Sequence, residues 1–87
     1  MSYRVEWTVA AERQLATLDP PLARALVRFL HERVHGSDDP RTVGKRLRDS
    51  DVWRYRVGDY RVLCRIEDRR LVVLVVELGH RRAIYRR

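Results

Sequence analysis

Residues 52–66, VWRYRVGDYRVLCRI, decide the fold because apolar and basic side chains alternate on both sides of a Gly-Asp pair. A period of two predicts two β-strands that each bury one face. Gly58 and Asp59 then form a two-residue hairpin turn. That turn fixes the register, so Arg56 lies directly opposite Arg61.

The segments after this hairpin complete a three-stranded meander. Residues 67–70 predict a second turn, and residues 71–78 are apolar on both faces apart from Glu77. A strand buried on both faces lies inside a sheet rather than at its edge. Gly79 ends this predicted strand, and a basic tail follows over residues 80–87.

The first half of the chain predicts one strand and two helices. Residues 3–7 alternate as a short strand, after which Thr8 can cap a helix. Asp19 followed by Pro20 marks the start of a second helix. A polar loop covers residues 36–44. Helical spacing gives two apolar stripes: Ala11, Leu15 and Leu18, then Leu22, Leu26, Phe29, Leu30 and Val34.

The order of these elements predicts one α+β domain over residues 1–87. The N-terminal strand and two helices pack on one face of an antiparallel sheet, which the meander completes. The predicted buried residues are Leu26, Leu30, Trp53, Tyr55, Val62 and Ile66.

Length and composition narrow the class of protein. The chain has 87 residues and a mass of 10.4 kDa, enough for one modest core. The longest apolar run, residues 71–76, is too short to span a bilayer, and the alternating first residues lack the apolar core expected of a signal peptide. Cys64 is the single cysteine, so no internal disulfide forms. We therefore expect a cytoplasmic protein.

The charge is concentrated in the second half of the chain. The formal net charge is +7, and 18 of the 19 basic residues are arginine. Residues 1–40 carry five arginines and six acids, whereas residues 41–87 carry fourteen bases and six acids. Arginine binds phosphates bidentately, so this half favours a polyanion or an acidic partner. A solvated surface from arginine-rich codon usage is the alternative.

The hairpin register collects arginines on one face of the sheet. The apolar residues of both strands share the helix-covered face, and the opposite face carries Arg54, Arg56, Arg61 and Arg65. Like charges that face each other across strands are destabilising, so the pattern favours an anion-binding face. Alternatively, these arginines extend into solvent or pair with Asp49, Asp51 and Glu77.

Three other residues carry weaker signals. His31 and His35 are spaced to bind a metal from one helix face, but no third ligand is evident. We interpret them as ordinary helix residues. Cys64 lies on the apolar face of its strand and is interpreted as a core residue rather than a nucleophile.

Two segments carry a resemblance to a known family. WRYRVGDYRVL, residues 53–63, and the tail GHRRAIYRR, residues 79–87, together resemble the RelE toxins of the RelE/ParE toxin–antitoxin superfamily. The resemblance implies a ribosome-dependent mRNA endonuclease that cuts the A-site codon without a metal or other cofactor. It also implies that the 2′-hydroxyl attacks the neighbouring phosphate and leaves a 2′,3′-cyclic phosphate.

The resemblance also assigns site residues by position. The catalytic positions fall on Arg56, Arg61, Arg81 and Tyr85. We assign RNA binding to Lys45, Arg54, Arg56, Arg65, His80 and Arg82. The phosphate-holding role falls on Arg61 and Arg81, which would stabilise the charge of the pentavalent transition state.

The chain departs from the family pattern at two places. Well-known members carry lysines where this chain has Arg54 and Arg56, and one such lysine is the proposed general base. Arginine is not a base near neutral pH, which leaves Tyr85, His80 or no particular residue for that role. Asp49 stands where a glycine often follows the leucine-basic pair.

Three functions follow from the resemblance and the charge. The first is the endonuclease, and the second is a ParE-type toxin that inhibits DNA gyrase without cleaving RNA. The third is a nucleic-acid-binding module without cleavage activity. Both toxin functions imply a cognate antitoxin that binds this chain in a hetero-oligomeric complex. An acidic segment of the antitoxin would complement the charge of the basic half of the chain.

Overall fold

The computed structural model describes residues 2–80 and shows two helices packed against a five-stranded sheet. In chain order the elements are β1 (Arg4–Trp7), α1 (Val9–Ala16), α2 (Pro20–Arg33), β2 (Lys45–Arg46), β3 (Val52–Val57), β4 (Tyr60–Glu67) and β5 (Val72–His80). Within residues 2–80, no helix combines the length and apolarity that crossing a bilayer requires.

The sheet is mixed, which corrects the antiparallel sheet expected from the sequence. Its strand order is β1-β5-β4-β3-β2, and β1 pairs with β5 in parallel, from Arg4 opposite Val72 to Trp7 opposite Val75. The chain leaves β1, passes through both helices and the meander, and returns beside β1 in the same direction. Strand β2, which pairs with β3, was not predicted because it has only two residues.

The β3–β4 hairpin has the predicted register. Val57 lies opposite Tyr60 and Arg56 opposite Arg61, so the turn contains only Gly58 and Asp59. Gly58 has a φ of 59°, which a type II′ turn requires at its first position. The β5 strand differs from its prediction, because it begins at Val72 and continues through Gly79 to His80.

Both helices begin where the capping residues indicated. The Thr8 hydroxyl accepts a hydrogen bond from the Ala11 amide at 3.1 Å. Asp19 occupies the N-cap of α2 and precedes Pro20, but its side chain makes no capping hydrogen bond. Both helices therefore begin after a residue type that favours the N-cap position, but only the N-cap residue of α1 makes a side-chain capping hydrogen bond.

The core lies between the helices and one face of the sheet. It contains Ala11, Leu26, Leu30, Val34, Tyr55, Val62, Cys64, Val73, Val75 and Leu78. The predictions for Leu26, Leu30, Tyr55 and Val62 are confirmed. Trp53 and Ile66 are only half-buried, because both also line a surface cleft at one end of the sheet.

Gly44 allows the loop before β2 to pack closely on the core. A Cβ at this position would lie 2.7 Å and 2.9 Å from two ring carbons of Tyr55. The Tyr55 hydroxyl donates a hydrogen bond of 2.7 Å to the carbonyl of Pro40 in the same loop. The ring and the loop thus fix each other, and they set the position of β2 beside β3.

Candidate nucleic-acid interface

Strands β2, β3 and β4 project basic side chains from the side of the sheet opposite the helices. This basic face consists of Lys45, Arg54, Arg56, Arg61 and Arg65. Lys45 joins it because β2 places that residue directly opposite Arg54. Cβ atoms of directly opposed residues lie about 4.5–5.5 Å apart, so the face concentrates positive charge along two neighbouring strand pairs.

The residues of the basic face differ in their access to solvent. Lys45, Arg56 and Arg65 are exposed and Arg54 is half-buried. Arg61 is only 1% exposed, although the alternation had suggested an accessible row of arginines. Its strand is the central one of the sheet, and its partner in β5 is Gly79.

A concave pocket lies beside the exposed part of this face. It has a volume of about 270 Å³ and is lined by residues 42–44 together with Lys45, Arg54 and Arg56. Three basic side chains around one small pocket attract a phosphate-sized anion, because their charges add over a short distance. The side chains of Arg56 and Lys45 form no ion pair within the described residues.

The alternative interpretation pairs the arginines of this face with Asp49, Asp51 and Glu77. Over residues 2–80, no ion pair joins Asp49 or Asp51 to any of the arginines. Glu77 lies on the same face, opposite Leu63. Glu67 also lies on this side, at the end of β4, where it pairs with Arg70 at 3.1 Å. The centre of the face therefore keeps a positive balance.

His80 lies on the other side of the sheet from the basic face. It is opposite Tyr60, and the two rings meet edge to face with centroids 5.6 Å apart. Tyr60 packs against the core on the helix side. The structure therefore separates His80 from Arg56 and Arg61, although the sequence grouped all three. Arg81, Arg82 and Tyr85 lie outside the described residues.

Cys64 is a core residue and His31 lies in α2 as interpreted, whereas His35 lies beyond the end of that helix and is not a helix residue. Burial raises the pKa of the Cys64 thiol, which confirms its interpretation as a core residue. The His35 Nδ1 accepts a hydrogen bond of 3.2 Å from the Val5 amide, and its ring stacks on His31. Within residues 2–80, no group of three or more metal-ligating side chains occurs.

Comparison with known proteins identifies the family. The family model described as the ParE toxin of a type II toxin–antitoxin system matches residues 5–85. Toxin RelG of Mycobacterium tuberculosis is 38% identical over 89 residues, and the match covers all of both chains. The chain belongs to the RelE/ParE toxin superfamily. It is thus a toxin of the type II toxin–antitoxin class.

Solved structures of related toxins share the fold. The toxin–antitoxin complex RelBE2 of Mycobacterium tuberculosis contains a chain with a TM-score of 0.83 and 34% identity, over 93% of both chains. A mutant of the E. coli toxin RelE in the free state has a TM-score of 0.78 at 22% identity, over 95% of this chain and 87% of that one. The mixed sheet with two helices on one face is therefore the fold of this toxin family.

Asp49 has a backbone conformation that explains its departure from the family pattern. Its φ is 55°, in the left-handed region that glycine adopts without strain. Aspartate is among the non-glycine residues that enter this region most readily. The loop between β2 and β3 in this toxin therefore keeps the turn that a glycine would form.

Proposed function

We propose that this toxin is a metal-independent, ribosome-dependent mRNA endonuclease that cuts the codon in the A site. The observation that carries the proposal is the basic face, in which Arg56 and Arg61 are directly opposed on the helix-free side of the sheet. The resemblance to RelE toxins supports the same function, because it assigns catalytic positions to Arg56 and Arg61. A cytoplasmic location follows from action on ribosomes.

The proposed reaction needs charge stabilisation rather than a cofactor. The 2′-hydroxyl of the substrate attacks the adjacent phosphorus, and the bond from phosphorus to the 5′-oxygen breaks. The products are a 2′,3′-cyclic phosphate and a 5′-hydroxyl. The transition state carries more negative charge on the phosphoryl oxygens than the diester does, so nearby guanidinium groups lower the barrier.

Arg56 and Arg61 take different parts in this scheme. Arg56 is exposed and reaches the RNA backbone directly. Arg61 is buried, so the scissile phosphate has to displace the groups that cover it before its guanidinium makes contact. A charge held in a fixed place by its surroundings stabilises a transition state well, because it does not reorganise during the reaction.

The proposed reaction depends more on positioning of the phosphate than on a general base. Arginine does not act as a general base near neutral pH, and His80 lies on the helix side of the sheet. Tyr85 retains the role that the resemblance assigns to it, with Arg81 as a second phosphate-holding residue. Strong positioning with weak base catalysis still accelerates cleavage.

We propose a cognate antitoxin as the partner, in a hetero-oligomeric complex. The related RelBE2 and the archaeal RelE–RelB of Pyrococcus horikoshii were solved as toxin–antitoxin complexes. The net charge of +7 favours an acidic antitoxin segment. Such a segment would neutralise the toxin by covering the basic face or the surfaces next to it.

A ParE-type activity is the second candidate, because the matching family model carries the ParE description. A toxin of that type inhibits DNA gyrase and leaves RNA intact. Binding of nucleic acid without cleavage is a further alternative. The basic face favours the endonuclease, since its arginines coincide with positions of the RelE site.

Primer extension on cellular mRNA after brief induction separates these functions. The endonuclease predicts cuts in phase with codons, with loss of the cuts in Arg56→Ala. Arg13→Ala on α1 is the matched control, because it also removes one exposed arginine but lies away from the sheet. DNA breaks of the gyrase-poisoning type without mRNA cuts would instead support the ParE reading.

A further inference from the structure

A second cleft lies at the end of the sheet away from the β3–β4 turn. It has a volume of about 390 Å³ and is lined by Arg41, Arg46, Asp51, Trp53, Arg65, Ile66 and Glu67. This volume falls within the range of about 300–1,000 Å³ that small-molecule sites occupy. The motifs that gave the family resemblance assign no role to it.

One wall of the cleft is formed by Trp53 and Arg41, and hydrogen bonds hold Arg41 in place. The Arg41 guanidinium lies over the Trp53 ring, 5.6 Å from its centroid. Asp68 fixes Arg41 through two hydrogen bonds of 3.0 Å, and it also accepts a hydrogen bond of 2.7 Å from the Tyr3 hydroxyl. The Arg41 guanidinium keeps the pKa of Asp68 below its usual value. The guanidinium is thus held beside the indole ring in the wall of the cleft.

The rest of the lining combines free positive charge with hydrogen-bond acceptors. Arg46 and Arg65 are exposed, and neither makes an ion pair within the described part of the chain. Asp51 is likewise free of ion pairs there. Aromatic and guanidinium planes stack on unpaired bases, arginines hold phosphates, and carboxylates accept from base N–H groups.

We propose that this cleft binds a nucleotide of the single-stranded RNA substrate, at a position away from the scissile phosphate. The base stacks on Trp53 and Arg41, its phosphate is held by Arg46 and Arg65, and Asp51 accepts hydrogen bonds from its Watson–Crick edge. Guanine fits this acceptor best, because its N1–H and N2–H donors lie side by side and match one carboxylate.

The position of Arg65 connects this cleft to the basic face. Arg65 lies four residues from Arg61 on the same strand, which corresponds to about 13 Å along the sheet. A short single-stranded segment can therefore contact both places at once. The inference rests on the proposed RNA-cleaving function and gives that function a source of sequence preference.

An acidic protein segment fits the cleft less well than RNA. The Asp51 carboxylate repels a carboxylate-rich peptide, whereas it accepts hydrogen bonds from the N–H donors of a base. Arg46 and Arg65 can hold a phosphate group. A nucleotide, unlike an acidic peptide, presents a phosphate next to a planar ring that carries N–H donors.

Fluorescence of Trp53 tests binding directly. In a Trp7→Phe background Trp53 is the single tryptophan, and a 2′-O-methyl hexamer serves as an RNA probe that cannot be cleaved. We expect quenching with UUGUUU at about 10-fold lower concentration than with UUUUUU. Asp51→Asn should abolish this difference, and Arg65→Ala should weaken binding of both hexamers about 10-fold.

Arg13→Ala is the matched control, and circular dichroism confirms folding of each variant. The inference is overturned if the hexamers do not quench Trp53, or if Arg65→Ala binds them like Arg13→Ala. Quenching by hexaglutamate but not by the hexamers also overturns it and assigns the cleft to an acidic segment.

Cleavage of ribosome-bound mRNA separates this inference from the proposed function. If wild type cleaves but the hexamers do not quench Trp53, the function stands and the nucleotide site is wrong. If the hexamers bind as expected but no mRNA is cut, the site stands and the endonuclease proposal fails. With both correct, Asp51→Asn changes which codons are cut.

Discussion

Arg56 and Arg61 face each other across the β3–β4 hairpin, yet only Arg56 reaches solvent. The exposed arginine is available to steer and orient RNA, whereas the buried one is fixed by its surroundings. Alternation along the strand predicted which side of the sheet they occupy. It did not predict the burial of Arg61, because alternation along one strand says nothing of the groups that cover a side chain in the folded protein.

Arg56→Lys tests whether arginine at position 56 limits the rate of cleavage because it does not act as a base. Lysine keeps the positive charge but can release its proton, so the variant should cleave ribosome-bound mRNA at least as fast as wild type. A gain of up to about 10²-fold is expected if a base is otherwise lacking. Arg13→Lys is the matched control and should leave the rate unchanged. A large loss of rate in Arg56→Lys would show that the bidentate guanidinium itself is required.

Gly44→Ala tests the contact between the loop and Tyr55. The added Cβ would lie 2.7 Å from the ring, so we expect a loss of about 1–3 kcal/mol in the free energy of unfolding. Urea denaturation measures this loss. In a Tyr55→Leu background the same change should cost less, because the ring is absent. Equal costs in the two backgrounds would exclude the ring as the cause.

At the scale of elements, the β3–β4 hairpin and the helix starts followed from local sequence. A two-residue turn fixes the register, and Thr8 and Pro20 mark helix starts through backbone chemistry that acts within a few residues. The β1–β5 pairing is parallel and joins residues 68 positions apart, such as Arg4 and Val72, so no local pattern encodes it. Strand β2 has only two residues, too few to show a period.

The candidate site was predictable only where it depends on local sequence. The facing pair of Arg56 and Arg61 came from the hairpin alone. Predicting that Lys45 belongs to the basic face would have required knowledge of β2. Predicting the side of the sheet on which His80 lies would have required the extension of β5 to residue 80. The cleft around Trp53 was missed because it combines a loop, two strand ends and Arg41, which approach each other only in the folded chain.

Paired cap variants test the difference between the two helix starts. Thr8→Ala removes the hydrogen bond to the Ala11 amide and should reduce the free energy of unfolding by about 1 kcal/mol. Asp19→Ala should cost less, because that side chain makes no capping hydrogen bond. Thermal unfolding of both variants gives the comparison. A larger loss for Asp19→Ala would contradict the assigned caps.

For the whole molecule, the excess charge lies in the part of the chain that builds the meander. The two helices cover one side of the sheet and belong, with β1, to the nearly neutral part of the chain, whereas the basic face occupies the other side. This separation orients the molecule toward a polyanion before any specific contact forms. It also explains why an acidic antitoxin segment suits the same protein.

Salt dependence tests the role of this charge in RNA binding. Affinity for single-stranded RNA should fall steeply with salt, with a log–log slope of about −0.7 per phosphate contact. Arg56→Ala should reduce the magnitude of the slope by about 0.7, and Arg13→Ala should leave it unchanged. Fluorescence anisotropy with a labelled hexamer measures both. A slope near zero for wild type would show that the basic face is not the contact surface.

The central claim is that the opposed arginines of the hairpin catalyse cleavage of mRNA in the ribosomal A site. Arg61 is the decisive residue, and its burial requires variants that keep the volume of the side chain. Arg61→Met removes the charge with little loss of volume, and Arg61→Lys keeps the charge.

The most direct measurement is cleavage of ribosome-bound mRNA by purified wild type, Arg61→Met and Arg61→Lys, with circular dichroism as the folding control. The account predicts codon-phased cuts ending in a 2′,3′-cyclic phosphate, and a loss of about 10²-fold or more in Arg61→Met. Arg61→Lys should retain more activity than Arg61→Met. A folded Arg61→Met that cuts at the wild-type rate would contradict the account.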